Sequence, residues 1–265
     1  MMGKNHAAMG LAIGSGVGVL VCGVNTVEWL VVGAAASGAA LLPDFDTTDS
    51  TIASAFGFIG SWAANKIGSL AGGHRKATHS LLAVGLVFLL FLGGDLLGVS
   101  AIFFGILLAL GWRALSGFMW GLRRFYILVG VLGGIYFAHV RLLNAWGLAL
   151  AVALGYAIHL LGDLLTSGGV PLLWPKPRRE ALPIFGNTGG IGESIFGIGL
   201  FIVTVIGGFI WYGHHIPSVV TPTQVHQSAL AHSGLYVVHL ISNIEHAKWF
   251  GGWLRDLTSI KPKLK

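Results

Sequence analysis

Charge is scarce in this chain. Asp, Glu, Lys and Arg make up only 10% of its 265 residues, whereas a soluble domain carries about 25%. Cysteine is nearly absent: the lone Cys22 excludes internal disulfides and any thiolate-based zinc ribbon. There is no internal repeat and no low-complexity tract. In place of charge there is 54% hydrophobic residues and a mean hydropathy of +0.78, which together mark a polytopic membrane protein. The 41 glycines suit close helix packing in lipid. The net charge of +6 therefore reads as loop charge that sets topology rather than as a nucleic-acid footprint.

Apolar runs able to span a bilayer fall at about 7–24, 27–43, 80–95, 97–112, 124–139, 145–165 and 194–213. They give an all-α helical bundle of about seven transmembrane helices, with six as the alternative because several runs are shorter than the roughly 20 residues of a straight span. Met1 to Gly23 resembles a signal peptide, with Lys4 ahead of an apolar run, but lacks a small-x-small cleavage site and reads as an uncleaved first span. Residues 47–73 are too long for a simple turn. Ile52, Phe56, Ile59, Trp62 and Ile67 are spaced as one helical face, so this segment is expected to lie along the interface as a lid. The membrane-embedded domain covers 1–213, and the semi-polar tail 214–265 is expected to form a second interfacial helix around 229–248.

Letting the chain cross at each run sorts the loops by side. Lys4, Lys66, Arg75, Lys76, Arg113, Arg123, Arg124, Lys176, Arg178 and Arg179 fall on one side, while the opposite loops carry only Arg141 and the tail carries five more bases. The positive-inside rule puts the first side in the cytoplasm. His6, Asp44, Asp46, His74, His79, His159, Asp163 and Glu193 all land at that same end. His139, Glu28, Asp95 and the histidines of the tail (His214, His215, His226, His232, His239 and His246) belong to the other.

Each of these groups has an ordinary explanation when read alone. Asp44 and Asp46 could be solvated loop residues, although the C-terminal end of a helix repels anions. His74 and His79, five apart, cannot share a helical face; His79 fits the first turn of the third span, with Thr78 as its cap. His159 and Asp163 stack one turn apart inside an apolar run, where an ionisable pair is costly and is a functional hypothesis by default. His6 could be an interfacial histidine, and Glu193 a favourable first-turn acid. Taken together, four of only ten acids gather with four histidines. Imidazole and carboxylate without thiolate suit zinc, with manganese as the alternative, in two or three ions. Two ions about 3.5–4 Å apart is a common arrangement for splitting phosphoesters. Arg75, Lys76, Lys176, Arg178 and Arg179 flank the group and match phosphate oxygens.

His6, Leu42-Pro43-Asp44 with Asp46, His74-Arg75 with Thr78-His79-Ser80, and His159 with Asp163, Thr166, Gly169 and Val170 resemble the YdjM-type inner-membrane metal-dependent hydrolases. Leu172, Leu173 and Pro175, and Thr188-Gly189-Gly190 ahead of Glu193, are also similar to that family, and the resemblance covers residues 1–213. The family is similar in turn to zinc-dependent phospholipases C and single-strand nucleases, so the resemblance implies phosphoester hydrolysis. It implies His6, Asp44, His74, His79, His159, Asp163 and Glu193 as metal ligands, and Asp46 as a further ligand or general base. Those soluble enzymes begin their site at a free N-terminal tryptophan, which this chain lacks.

The expected activity is that of a membrane-embedded, zinc-dependent hydrolase acting on a phospholipid or lipid-linked phosphate at the cytoplasmic face of the inner membrane. Asp46 or Glu193 would relay the proton and Arg75 or Arg178 would hold the phosphate. No nucleic-acid partner is expected, because the basic residues form no aromatic-interleaved groove. A divalent-metal transporter is the rival reading, but it would place ionisable residues along the whole path. A scaffold with a structural metal would need no open coordination position.

Overall fold

Hydropathy alone places the helices. The computed structural model describes residues 1–23, 27–119, 122–140, 143–176 and 178–215. They form α1 (Gly3–Cys22), α2 (Glu28–Ala39), α3 (Thr51–Ala55), α4 (Gly57–Leu70), α5 (Leu81–Leu96), α6 (Ser100–Leu115), α7 (Tyr126–Val140), α8 (Ala145–Leu164) and α9 (Ile191–His215). Among the described residues there is no strand, only an isolated bridge between Val170 and Glu180. The chain is thus a helical membrane protein. Among the described residues a helix stands at each of the hydrophobic runs. Gly3–Cys22, Ala145–Leu164 and Ile191–Trp211 are long and apolar enough to cross a membrane; Leu81–Asp95 and Ser100–Leu115 are shorter. The tail helix expected around 229–248, its histidines from His226 onward and Arg141 lie outside the described residues. Met1–Gly208 forms one unit and Phe209–Lys265 a second; every site residue expected from the sequence belongs to the first.

Punctuation follows local chemistry. Asn144, Ser50 and Ser80 cap α8, α3 and α5 by accepting from the backbone N–H of Gly147, Ala53 and Ala83, each satisfying an otherwise orphan donor. Thr78, expected as the cap of the third span, does not fill that place; Ser80 does, and His79 lies in the 3₁₀ turn Ala77–His79 just ahead of α5. Pro43 opens the 3₁₀ turn Pro43–Asp46 beyond α2, and its fixed φ suits a first helical position. The expected single apolar face over 47–73 is divided, because the chain breaks between α3 and α4 at Gly57, whose φ is +57°. Ile52 is buried with Leu41 and Leu110, while Phe56, Ile59 and Trp62 are exposed. Gly60, Ala64 and Gly68 form the buried edge of α4.

The main core joins α2, α6 and α8 through Val32, Ala35 and Ala39, Phe104 and Leu107, and Leu148 and Val152. Small residues set the spacing of α1, α2 and α8. A Cβ on Gly10 of α1 would lie 2.6 Å from the carbonyl oxygen of Ala36 in α2, and one on Gly155 of α8 would collide with the same oxygen. Gly10 follows His6 by one helical turn and Gly155 precedes His159 by one turn. These two close approaches let α1 and α8 bring their histidines together, the kind of backbone contact that small residues permit in membrane proteins. Replacing Gly155 by leucine is expected to cost about 1–3 kcal/mol or more through overpacking and to lower the unfolding midpoint in detergent. An unchanged midpoint would show that the helices do not meet there.

Candidate metal centre

Helix ends converge here. α8 supplies Tyr156, His159 and Asp163 from one face, at spacings of three and four residues. The 3₁₀ turn beyond α2 supplies Asp44 and Asp46, the turn before α5 supplies His79, and α1 supplies His6. His6, His79, His159 and Asp163 are completely buried, and Asp46 nearly so.

Two imidazoles face each other. His79 Nε2 and His159 Nε2 are 3.2 Å apart. The other nitrogen of His159, Nδ1, lies 2.7 Å from the carbonyl oxygen of Ala40. A carbonyl can only accept, so Nδ1 carries the proton and Nε2 of the neutral ring presents a lone pair. Ala40 follows the last turn of α2, where carbonyls lack helical partners. On His79, Nδ1 is 3.0 Å from Thr78 Oγ1 and 3.4 Å from Asp46 Oδ2. Thr78 Oγ1 itself donates to Asp46 Oδ2 at 2.5 Å, so it accepts from His79. Both Nε2 lone pairs therefore point at the same place. With both rings neutral, two acceptors at that distance attract only if a cation, a proton or a metal ion, lies between them.

The remaining neighbours fit that requirement. Asp44 Oδ1 is 3.5 Å from His79 Nε2 and 3.6 Å from His159 Nε2; Asp163 Oδ2 is 3.7 and 3.6 Å from the same atoms. A tetrahedral ion with ligands at about 2.0–2.1 Å has ligand–ligand edges of about 3.3–3.4 Å, close to these separations. Asp163 Oδ2 is buried and receives no hydrogen bond, an orphan that a cation would satisfy. The site is thus two imidazole nitrogens and two carboxylate oxygens, a donor set that fits zinc or manganese.

A second ring of contacts holds this set. Asp46 accepts from His74 Nδ1 at 2.6 Å, from the backbone N–H of Arg75 at 3.2 Å and from Thr78. It stands behind His79, as an orienting carboxylate does in metal sites. Arg75 adopts the left-handed region, φ +55°, which is strained for a residue with a Cβ. From there its Nη2 donates to Asp163 Oδ1 at 2.8 Å, while its Nε is buried without a partner. Tyr156 donates to the carbonyl of Thr78 at 2.6 Å, anchoring the turn that carries His79 to α8.

The site residues named from sequence do not all meet here. His6 stacks on His159, ring centroids 3.7 Å apart, and its Nε2 is 3.3 Å from Asp163 Oδ1, yet neither ring nitrogen has a hydrogen-bond partner. His6, His159 and Asp163 form one group able to share an ion, and Asp44, His74 and His79 another. His74 is 44% exposed and stands at the open side with Asp44. Glu193, fully buried, accepts from the backbone N–H of Met2 and Gly189 and from Asn5 Nδ2. Its oxygens are taken up in tying α9 to the start of α1. Arg178 is 82% exposed and pairs with Glu180. Neither has a contact with the imidazole pair among those described. Sequence reasoning missed Asn5, Tyr156 and the amino group of Met1, which is buried against Asp163. Tyr156 was findable, since it lies one turn before His159 on the same face.

Charges set proton affinities outside the spans. Burial would push the Asp44 carboxyl up, but the neighbouring His159 and His79 outweigh it and hold it well below the usual range. Asp46 is likewise lowered, burial being outweighed by His74, His79 and Thr78. His79 is raised: burial opposes the charged ring, and Asp44 and Asp46 prevail.

Residues 1–221 match the family described as YdjM inner membrane protein. The inner membrane protein YdjM of Escherichia coli (strain K12) is 29% identical over 194 residues, covering 72% of this chain and 70% of that protein. The protein of the same name in Shigella flexneri matches with the same figures. No solved structure matches the chain significantly.

An ion entering the site displaces the second proton, on Nε2, of a charged His79, which Asp44 and Asp46 hold to higher pH than on an ordinary histidine, while those two aspartates stay ionised well into the acid range. Affinity for zinc is therefore expected to rise with pH across about pH 6 to 8, by up to about one log unit per pH unit. Binding isotherms at several pH values measure this. A flat or falling profile would contradict the assigned proton.

Proposed function

Because the chain belongs to the YdjM family of inner membrane proteins, we propose that it is a membrane-embedded, metal-dependent hydrolase of the inner membrane. Its reaction in this reading is cleavage of a phosphoester bond in a phospholipid or lipid-linked phosphate at the cytoplasmic face. The observation that carries the proposal is the pair of facing Nε2 atoms of His79 and His159, 3.2 Å apart, flanked by Asp44 and Asp163. Support for the side comes from the basic loops that share the end of the bundle with the site.

His79, His159, Asp44 and Asp163 would hold a zinc-type ion, with His6 as a further donor beside His159 and Asp163 and His74 as one beside Asp44 and His79. When bound, such an ion supplies Lewis acidity and positive charge facing a phosphoryl group. The chain's own residues do the rest. Asp46 keeps the Nδ1 proton on His79 and so keeps Nε2 free to ligate. Asp44, 20% exposed, and His74 mark the side from which a headgroup reaches the site. The buried Nε–H of Arg75 has no partner and is available to a phosphate oxygen, a pairing for which a guanidinium is well shaped. Glu193 serves the fold rather than the proton relay, since its carboxylate is occupied by Met2, Asn5 and Gly189. Arg178, paired with Glu180, is not assigned to the phosphate.

Zinc content of the purified protein, measured beside hydrolysis of a phospholipid panel, tests the reading. Wild type is expected to hold ion and cleave at least one phospholipid, and His159→Ala to lose activity by at least about 100-fold with its metal. Full activity of His159→Ala, or of protein stripped of metal, would refute it. Retained metal with no hydrolysis of any phosphoester would point instead to a structural ion.

A further inference from the structure

A second site lies between α6 and α7. These helices meet through small residues: a Cβ on Gly105 would be 2.7 Å from the carbonyl oxygen of Gly130 and 3.3 Å from Gly134. With no side chains between them, the helices leave a groove of about 530 Å³ walled by Ile102, Ile106, Ile127, Val131, Ile135 and Phe56. It runs from Leu110 to Ala101 along α6, about 14 Å at the helical rise. Its lining is almost wholly apolar.

One end of this groove is cationic. Tyr126, which belongs to the groove, also lines a shallow, open depression whose other residues are Arg113, Arg123 and Arg124. The Arg113 guanidinium lies 5.1 Å from the Tyr126 ring centroid and donates from Nη2 to the backbone oxygen and hydroxyl of Ser54, 3.1 Å each; its Nε is buried without a partner. Tyr126 donates to the carbonyl of Ala55 at 3.0 Å, and Arg124 lies over Phe125 at 5.3 Å. Among the described residues, arginine pairs with a carboxylate at Arg75–Asp163 and Arg178–Glu180; none of these three arginines does. Three guanidinium groups thus border one open depression with no counter-charge from the described residues.

We infer that the α6–α7 groove and its arginine end bind an anionic glycerophospholipid, with an acyl chain along Ile106, Ile127 and Gly130 and the phosphate at Arg113, Arg123 and Arg124. The charge is complementary, and basic pockets where helices leave the membrane suit such headgroups. An apolar groove of this length suits one chain, whereas a soluble anion would use the arginines alone. The site shares no residue with the metal centre, and Ala55 and Phe56 link its wall to α3.

Native mass spectrometry of the full chain in detergent tests this, with phosphatidylglycerol and phosphatidylcholine of identical acyl chains and with inorganic phosphate. Phosphatidylglycerol is expected to be retained preferentially. The double variant Arg123→Gln/Arg124→Gln is expected to weaken it by about 10- to 30-fold, and Ile106→Trp, which fills the groove, to weaken both lipids. Unchanged metal content would show that the variants are folded and that the metal centre is not being read out. Equal retention of the two lipids, a double variant that binds like wild type, or competition by phosphate alone as strong as by phosphatidylglycerol would overturn the inference. So would Ile106→Trp dissociating a dimer without altering lipid retention.

Discussion

Two imidazole nitrogens are held face to face on fully buried rings, an arrangement that a proton or a metal ion between them would satisfy. The carbonyl of Ala40 fixes the proton of one imidazole on its far nitrogen, and Thr78 with Asp46 fixes that of the other. With both rings neutral, Nε2 of His79 and Nε2 of His159 cannot hydrogen-bond to each other. Asp44 and Asp163 then add two carboxylate oxygens to the same small volume. Burying such a set without a counter-ion is expensive; with one, the same atoms are a coordination shell.

The membrane explains where this set is built. A charged group costs most at the centre of a bilayer and least at its edge. The chain places these imidazoles and carboxylates at helix ends, where turns also supply free backbone carbonyls and N–H groups. The end of α2 illustrates both uses: its unsatisfied Ala40 carbonyl orients a histidine, and the following turn carries two aspartates. Close packing then brings the ends together. Gly10 and Gly155 admit the Ala36 backbone from two helices, and the rings of His6 and His159 stack as a result. Arg75, strained in backbone, reaches Asp46 with its N–H and Asp163 with its side chain, and so ties the loop before α5 to α8.

Much of this was legible in the sequence, and the reasons for the exceptions are physical. The helices were readable because their apolar runs tolerate little else. His159 and Asp163 stood out as a polar pair one turn apart in such a run. The gathering of Asp44, His79 and His159 followed from tracking sides, since the site draws on residues at one end of the bundle. The different tasks of Asp44 and Asp46 were not readable: two residues apart in a 3₁₀ turn, one reaches the imidazole pair and the other turns behind His79, and only the turn's geometry separates them. Glu193 shared the right end of the bundle, but the backbone of Met2 and Gly189 claimed its oxygens. Thr78 looked like a helix cap because the sequence offers two hydroxyls within three residues, and the choice between Thr78 and Ser80 depends on where the 3₁₀ turn closes. The α6–α7 groove was invisible because it arises from glycines on two helices that meet only in the fold.

X-ray absorption at the zinc edge of the reconstituted protein tests the central assignment most directly. Two imidazole nitrogens and two carboxylate oxygens at about 2.0–2.1 Å are predicted, with one imidazole lost in each of His79→Ala and His159→Ala. A fully hydrated, all-oxygen zinc spectrum, or imidazole scattering unchanged in both variants, would contradict it.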